Sequence, residues 1–225
     1  MDRTEWVCKN LIPMQVAKVR IGREADGGYV LPRQSLSECD LCVSYGLGHD
    51  TSFERRIRRR GIKVVGFDPD ISKHPKWARA GRVTKYSDFS FLPEVGRAGN
   101  VLLKMDVEGS EYGFLKTLDS AHFAEKVHTF ALEIHTGRKL RPQWADLHML
   151  DAVLKSHSVV HVHSNNYGTV ENFVASSLEI TFMTKKRMPE MKPDRRKYPV
   201  RGLDHPNNPR KPDFCMMWIN QVPLL

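Results

Sequence analysis

The stretch V-L-L-K-M-D-V-E-G-S-E-Y, from Val101 to Tyr112, decides the fold that this sequence predicts. A short apolar run ends abruptly in the carboxylates Asp106, Glu108 and Glu111, with one glycine among them. Open α/β sheets present reactive groups in this way, at the carboxyl ends of buried strands and just before a helix begins. The stretch therefore predicts a central strand, candidate catalytic acids directly after it, and a short helix over Ser110–Leu118.

Further strand patterns lie on both sides of this stretch and alternate with helical patterns. Apolar runs of strand length occur at Asp40–Gly48, Ile62–Phe67, Arg82–Tyr86, Val127–His135, Val159–His163 and Ser177–Thr184. Helical spacing of apolar residues follows at Phe53–Arg60 and Pro142–His157. This alternation predicts an α/β fold, in which a mostly parallel, seven-stranded sheet has helices on both faces.

The 225 residues fit a single domain over 1–225 that is long enough to bury a sizeable core. Residues 1–35 predict an N-terminal helix, over residues 1–20, and a hairpin with Asp-Gly-Gly at its turn. Residues 185–212 predict a basic, proline-rich loop. No apolar run approaches the ~20 residues that a membrane-spanning helix needs, and the first residues do not resemble a signal peptide. We therefore expect no membrane span and a cytoplasmic location.

The net charge of +9 is concentrated in two segments. Five arginines lie within Arg55–Arg60, and Lys185–Arg201 carries eight basic residues against two acids. Such patches suit an anionic partner. A solvated helix face and a flexible basic loop would give the same pattern, so both interpretations stay open.

Two features around the first strands predict a nucleotide-like ligand. The strand that begins at Asp40 ends in G-x-G, with Gly46 and Gly48, and a loop of this kind lets a ligand approach the backbone. About 20 residues later the next strand ends in Asp68, where a carboxylate can hold a ribose diol. Asp88 could accept from an adenine amino group in the same way. Each of these acids could equally be a turn residue.

Several motifs together resemble the FkbM-like methyltransferases and their small methyltransferase-domain relatives. The motifs are D-G-G-Y-V-L-P (Asp26–Pro32), S-Y-G-L-G-H-D-T-S-F-E (Ser44–Glu54), G-F-D-P (Gly66–Pro69), L-K-M-D-V-E-G-S-E (Leu103–Glu111), L-E-I-H (Leu132–His135) and H-V-H-S-N-N-Y-G (His161–Gly168). The resemblance implies a Rossmann-like class I methyltransferase fold and methyl transfer from S-adenosylmethionine to an oxygen, mainly on sugars of glycans and on natural products. The chain departs from the common G-x-G-x-G loop, because His49-Asp50 follows Gly48.

The expected cofactor is therefore S-adenosylmethionine. We assign to its site Gly46, Gly48, Asp50, Phe53, Asp68, Asp88 and Asp106.

Methyl transfer to a hydroxyl requires a general base within hydrogen-bond reach. Asp106, His135 and His163 compete for this role, since all three follow predicted strands. Glu108 could hold the ammonium group of the donor or orient the base. A divalent cation, Mg²⁺ or Mn²⁺, bound by Asp106 with Glu133 or His135, is a further alternative that would lower the pKa of the acceptor.

Polar and aromatic side chains for an acceptor follow the sixth predicted strand. His163, Asn165, Asn166 and Tyr167 combine hydrogen-bonding groups with a ring, as saccharide sites do, although an Asn-rich turn is an equal alternative. We expect a saccharide or glycoconjugate acceptor, anionic if the basic patches contribute. A nucleic-acid (RNA) methyltransferase and a non-catalytic binding module of the same fold are the alternatives.

Overall fold

The computed structural model describes residues 3–70, 78–80, 93–136, 147–188, 190 and 192–220. The strands are β1 (Lys18–Ile21), β2 (Tyr29–Pro32), β3 (Leu41–Tyr45), β4 (Lys63–Asp68), β5 (Ala78–Ala80), β6 (Val101–Met105), β7 (Val127–His135), β8 (His157–Ser164), β9 (Val170–Glu171), β10 (Val174–Ala175) and β11 (Ser177–Thr184). The helices are α1 (Arg3–Asn10), α2 (Arg33–Glu38), α3 (Ser52–Arg58), α4 (Pro93–Arg97), α5 (Glu111–Lys116), α6 (Ser120–Lys126), α7 (Asp151–Leu154) and α8 (Met217–Asn220). Short 3₁₀ helices lie at Leu147–Leu150 and Lys185–Arg187.

One central sheet organises the molecule, with strand order β5-β4-β3-β6-β7-β11-β8. Strands β5, β4, β3, β6 and β7 are parallel, whereas β11 runs antiparallel to both of its neighbours, β7 and β8. The mixed α/β architecture with a mostly parallel sheet is therefore confirmed. The strand that we predicted at Arg82–Tyr86 lies outside the described residues.

Both faces of the sheet are covered, because alternate residues of the strands enter two different hydrophobic clusters. On β3, Leu41, Val43 and Tyr45 pack into the larger cluster, which includes side chains from α1, α5 and α6. Cys42, between them, packs into a smaller cluster on the other face with side chains of β1, β2 and α3. This division explains why the central strands are buried throughout, as expected for parallel strands covered on both faces.

Two helices are shorter than the sequence predicts. The N-terminal helix ends at Asn10 instead of continuing to residue 20, and after Pro13 the chain extends towards β1. Proline lacks a backbone N–H and disfavours helix at the preceding residue, which accounts for the early end. Of the helix predicted at Pro142–His157, the described part comprises only the 3₁₀ turn and α7, and His157 already belongs to β8.

The hairpin is confirmed: β1 and β2 pair antiparallel, and they are joined across the Asp-Gly-Gly segment. The hairpin lies on the polar face of β11, where the Thr181 hydroxyl donates to the carbonyl of Val30 at 2.7 Å. It thereby carries Asp26 and Tyr29 towards the carboxyl ends of the central strands.

The predicted basic loop is an irregular segment with several buried anchors, and we call residues 192–213 the C-terminal strap. Lys18 pairs with Asp194 at 2.7 Å, with both side chains almost fully buried. His161 pairs with Asp204 at 2.7 Å, and His163 pairs with Asp213 at 3.0 Å. The strap is therefore fixed on the hairpin and on β8, although it contains no regular helix or strand.

In the part of the chain that the structure describes, no helix is both long and apolar enough to cross a bilayer. The four cysteines form no disulfide bond with one another, and burial raises the pKa of Cys42 well above its usual range. Cys39 and Cys42 are therefore reduced thiols in this structure.

Candidate functional site

The order of the strands creates a switch point between β3 and β6. From β3 the chain continues outward to β4 and β5, and it then returns to β6 on the other side of β3. In open α/β sheets, ligands bind in the crevice that such a reversal leaves at the carboxyl ends of the strands. A cleft of about 620 Å³ lies at this position, between the loop after β3, the Asp-Gly-Gly turn, the residues after β6, and the strap.

The glycine loop after β3 packs directly on the residues that follow β6. Gly46 has φ +75°, and a Cβ atom at this position would lie 1.6 Å from the carbonyl oxygen of Asp106. The Gly46 N–H donates to the carbonyl of Phe67 at 2.9 Å, and the Asp106 N–H donates to the carbonyl of Tyr45 at 3.0 Å. Gly46 is therefore required for the close approach of two backbone segments. It does not line the cleft, whereas Gly48 does.

Asp68 holds the same loop from the end of β4. Its Oδ2 accepts from the N–H groups of Leu47 at 2.9 Å and Gly48 at 3.1 Å, and its Oδ1 accepts from the N–H of Asp70. Asp68 is buried and does not line the cleft, so these contacts make it a residue that shapes the loop. The exposed Asp70, two residues later, is the more accessible carboxylate at this strand end.

Asp106 lines the cleft and is held by two partners. The Tyr29 hydroxyl donates to its Oδ2 at 3.0 Å, and the ammonium group of Lys104 lies 3.6 Å from the same oxygen. Lys104 is itself buried in β6 and also donates to the carbonyl of Gly46. Burial and the Asp106 carboxylate raise the pKa of Tyr29 well above its usual range, so its hydroxyl stays a donor. The second oxygen of Asp106, Oδ1, has no partner among the described residues.

His135, at the end of β7, is surrounded by carboxylates. Its Nδ1 lies 2.8 Å from Glu111 Oε1, and its Nε2 lies 3.3 Å from Glu108 Oε2 and 3.8 Å from Glu133 Oε1. Burial alone would lower the pKa of His135, but Glu111, Glu133 and Glu108 outweigh it and raise the pKa to about 9. The imidazole is therefore protonated at neutral pH, which argues against its predicted role as a free general base.

A row of buried polar residues continues from there across the sheet. Glu133 lies opposite Glu179 in the β7–β11 pairing, and Glu179 lies opposite His163 in the β11–β8 pairing. Glu133 Oε1 accepts from the Ser177 hydroxyl at 2.5 Å and from the Asn165 amide at 2.8 Å. Burial, followed by the charges of Asp106 and Glu179, raises the pKa of Glu133 well above its usual range.

Three of the four residues predicted to bind an acceptor are buried and do not line the cleft. His163 lies between Glu179 and Asp213, both at 3.0 Å. Asn165 is engaged with Glu133, and the Asn166 amide donates to three carbonyls of the strap, those of Asn208, Lys211 and Pro212. His163 and Asn166 therefore hold the strap, whereas Asn165 holds Glu133, and the polar atoms of all three are occupied by the protein itself. Tyr167 is 58 % exposed and lines the cleft.

The structure thus brings together part of the predicted site. Gly48, Asp50, Phe53, Asp106, Glu108 and Tyr167 border the cleft. His135 and Glu133 lie beside Glu108 and Asp106 without lining it, and Asp88 lies outside the described residues.

Sequence reasoning missed several residues of the site: Asp26, Tyr29, Lys104, Glu179 and Asn207. The Asn207 amide donates to Asp26 Oδ1 at 3.0 Å and to Glu179 Oε1 at 2.6 Å, which joins the hairpin, the sheet and the strap. A lysine within the apolar run of β6 and a glutamate within the alternating run of β11 were the available signals, since buried charges need partners. Nothing in the sequence indicated Asn207.

The fold and site define an α/β protein with a ligand cleft at the switch point of a mostly parallel sheet. No family model matches the sequence, and the comparison with curated proteins finds no match. Among solved structures, the chain is similar to a SAM-dependent methyltransferase from Archaeoglobus fulgidus, with a TM-score of 0.42 and 11 % identity over 67 % of this chain and 89 % of that chain.

Two other solved structures are similar at a comparable level. EvdMO1 gives a TM-score of 0.37 and 14 % identity over 68 % of this chain and 39 % of that chain. A candidate RNA methyltransferase, PH1948 from Pyrococcus horikoshii, gives a TM-score of 0.35 and 11 % identity over 82 % of this chain and 98 % of that chain. None of these descriptions names an FkbM-like protein, and similarities at this level carry no argument about function. The FkbM-like membership stays a prediction.

Proposed function

We propose that this chain is an S-adenosylmethionine-dependent O-methyltransferase that acts on a hydroxyl group of a saccharide. The observation that carries the proposal is the cleft at the switch point, where Gly48 of the glycine loop and Asp106 border the same space. Nucleotide-like ligands bind at such crevices. The strand order, with the antiparallel β11 between β7 and β8, is typical of class I methyltransferases.

In this proposal the donor lies along the glycine-loop side of the cleft, next to Gly48, Asp50 and Phe53. Gly48 has φ +59°, and no atom lies within 4 Å of the position of an added Cβ, so a ligand can approach its backbone closely. Asp68 fixes the N–H groups of this loop, and the exposed Asp70, which lies outside the cleft lining and would have to close on the donor, is the carboxylate that we assign to the ribose diol. This moves the predicted ribose contact by two residues along the chain.

The reaction forms a bond between the acceptor oxygen and the methyl carbon while the bond between that carbon and the sulfonium sulfur breaks. The electron pair of the broken bond stays on sulfur, which becomes a neutral thioether, and the hydroxyl proton passes to a base. Asp106 is the base that we assign, because its Oδ1 has no partner among the described residues and the residue borders the cleft. Tyr29 and Lys104 hold the carboxylate in place, which supports catalysis by orientation.

Tyr167 is the residue that supports a saccharide acceptor. Its ring is exposed and lines the cleft, and Asp26, Glu108 and Asn208 line the same cleft. An aromatic face beside several hydrogen-bonding groups suits a molecule with an apolar ring face and a hydroxyl rim. The exposed arginines of the cleft, Arg23 and Arg210, would favour an acceptor that carries a negative charge.

RNA is the second candidate acceptor, because Arg55, Arg56 and Arg58–Arg60 are exposed on and after α3. Phosphate contacts use residues of this type. These arginines do not line the cleft, however, so they would serve binding of a longer anionic chain and not the selection of the methylated group.

Two measurements test the proposal. Calorimetric titration with S-adenosylmethionine should give saturable binding, and no binding at millimolar concentration would refute the enzyme. A methyl-transfer screen with radiolabelled donor should then give product with mono- or oligosaccharides and not with RNA oligomers. Transfer to RNA alone, with an affinity that falls steeply with salt, would replace the saccharide by the second candidate.

The acceptor side has a matched pair of variants. Tyr167→Ala removes the exposed ring at the cleft, whereas Phe173→Ala removes a similarly exposed ring, 65 % accessible, that does not line it. We expect Tyr167→Ala to raise the KM for the saccharide about tenfold with the donor Kd unchanged, since ring contacts contribute about 1 kcal/mol or more. Phe173→Ala should leave both constants unchanged. Equal effects of the two variants would remove Tyr167 from the acceptor site.

A further inference from the structure

Asp106, Glu108 and His135 form a compact group at the edge of the cleft. One potential ligand atom of each lies within 4.8 Å of those of the other two. The group follows two adjacent parallel strands, β6 and β7, so its members come from different elements that the sheet fixes relative to each other. Glu108 and Asp106 both border the cleft, which leaves one side of the group open to small molecules.

The imidazole of His135 is already oriented for a ligand. Its Nδ1 is occupied by Glu111 Oε1 at 2.8 Å, and the remaining nitrogen, Nε2, lies 3.3 Å from Glu108 Oε2. Histidines that bind metals usually donate their other ring N–H to a carboxylate in this way. The Glu111 side chain is fully buried, and its Oε2 has no hydrogen-bond partner among the described residues. Burying a carboxylate with one unpaired oxygen is costly unless a positive charge lies close by.

Glu108 fits this group better than Glu133, which the sequence suggested. Both carboxylates lie near His135 Nε2, Glu108 at 3.3 Å and Glu133 at 3.8 Å. However, Glu133 Oε1 already accepts from Ser177 and Asn165, and its side chain is buried behind the cleft. The Glu108 side chain is 86 % exposed and has freedom to close on a cation.

A second acidic group, Asp26, Glu133 and Glu179, also has three ligand atoms within 4.8 Å of one another. Its oxygens are largely occupied, because Asn207 donates to Asp26 and Glu179, His163 lies 3.0 Å from Glu179, and Ser177 donates to Glu133. Protein donors therefore take the place that a cation would need. This group serves as the internal comparison for the first.

We infer that Asp106, Glu108 and the Nε2 atom of His135 bind a hard divalent cation, Mg²⁺ or Mn²⁺, with Glu111 as the carboxylate that orients His135. Two oxygen ligands and one imidazole suit these ions, and binding releases to solvent the Nε2 proton that the surrounding carboxylates hold on His135 in the cation-free chain. Three protein ligands leave positions for water and for an acceptor hydroxyl. If the chain has the proposed function, the cation would hold that hydroxyl beside Asp106 and lower its pKa.

Mn²⁺ binding to the purified full chain tests the inference without donor or acceptor. We expect a single Mn²⁺ per chain by calorimetry and by electron paramagnetic resonance. Outer-sphere changes at metal-ligating histidines typically cost about 10–100-fold in affinity, so Glu111→Gln should weaken binding by this factor and Glu108→Gln by at least as much. Glu125→Gln is the matched control, because Glu125 is an exposed glutamate on α6 that pairs with Lys126, and it should bind as the parent chain does.

Each outcome separates this inference from the proposed function. Absence of Mn²⁺ binding, or equal affinity in Glu108→Gln and the parent chain, overturns the cation site even if S-adenosylmethionine binds. Saturable Mn²⁺ binding that Glu108→Gln weakens supports the site even if the donor does not bind, in which case only the proposed function fails. Since Glu108 is exposed, its replacement leaves the fold intact, and a circular-dichroism spectrum checks this directly.

Discussion

The two sides of the sheet's carboxyl edge use polar groups in opposite ways. On the β3–β4 side, the carboxylate of Asp68 is engaged by the backbone of the loop that it shapes. On the β7–β11–β8 side, the carboxylates Glu133 and Glu179 face each other in register, with His163 opposite Glu179 and His135 3.8 Å from Glu133. A strap from the C-terminal region closes over them. The β3–β4 side thus offers backbone groups to a ligand, whereas the β7–β11–β8 side offers charged side chains.

This difference indicates how the two sides would recognise their ligands. A rigid loop with a glycine at the cleft selects by shape and by close approach, which suits a cofactor of constant structure. A cluster of carboxylates balanced by Lys104, His135 and His163 selects by charge and protonation, which suits a reacting group or a cation. Asp106 lies where the two sides meet, since it contacts Gly46 through its backbone and Tyr29 through its side chain.

The largest expected effect therefore belongs to Asp106→Asn, which keeps the size of the side chain and removes its charge. If Asp106 is the base, kcat for methyl transfer should fall by about 10²–10⁴-fold, while the donor Kd changes little. Single-turnover methyl transfer with saturating donor measures the first quantity and calorimetry the second. A kcat within about threefold of the parent value would mean that the base lies elsewhere and that the junction between the two sides is not the reacting centre.

The second prediction tests whether the buried pair between Lys18 and Asp194, which joins the strap to the hairpin, stabilises the fold. Lys18→Met leaves Asp194 buried without its ammonium partner, so the free energy of unfolding should fall by about 3 kcal/mol, at the lower end for a broken buried pair because Arg196 still contacts Asp194. Urea denaturation measures the change. Lys192→Met is the matched control, since Lys192 pairs with Glu190 at the exposed surface and its loss should cost less than about 1 kcal/mol. Equal losses of unfolding free energy in the two variants would show that the Lys18–Asp194 pair contributes no more than a surface ion pair.

The third prediction follows from His163, which joins the strap to β11. Burial lowers its affinity for a proton, but Asp213 and Glu179 outweigh this and raise its pKa to about 10. Because this folded-state pKa lies above the unfolded value of about 6.5, the interaction stabilises the fold fully below that pH. The stabilisation is lost as the pH rises through about 10.

His163→Gln removes the titration of this histidine. Comparison with the parent chain therefore separates its contribution to stability from those of lysine and tyrosine residues. Between pH 7 and pH 10 the parent chain should lose about 1–3 kcal/mol more stability than the variant, which is the range for a hydrogen bond to a charged group. Unfolding curves at several pH values measure the difference. Parallel pH dependences would show that His163 is not protonated in the folded chain.

The sequence predicted the first side of this comparison better than the second. Apolar runs that end in Gly46, Asp68 or Asp106 predict buried parallel strands and their carboxyl edge. The strands β3, β4 and β6 lie at these runs. The role of Asp68 could not be predicted, because which group a carboxylate binds depends on the loop conformation and not on spacing.

The sequence predicted the strap as a loop, but its anchoring could not be predicted, for a physical reason. Its anchors join residues far apart in the chain, such as Lys18 with Asp194 and Asp26 with Asn207, and they follow no period because the segment is neither helix nor strand. Local patterns identify elements with a repeat, whereas a segment held by single buried pairs resembles an ordinary basic loop. Because residues 185–201 are mostly basic, nothing in the sequence indicated that Asp194 among them is buried.

The smallest expected effect concerns the two glycines of the loop after β3, on the side of the sheet where we expect the ligand to be recognised by shape. Gly46 and Gly48 both have positive φ, but an added Cβ would overlap the carbonyl of Asp106 at Gly46 and meet nothing within 4 Å at Gly48. Gly48→Ala should therefore cost only the left-handed backbone strain, about 1–2 kcal/mol, in thermal or urea unfolding. Gly46→Ala must displace a backbone segment and should cost more. If Gly48→Ala weakens donor binding beyond its effect on stability, the donor contacts this part of the loop; if donor affinity is unchanged, the contact must be moved to Asp50 and Phe53.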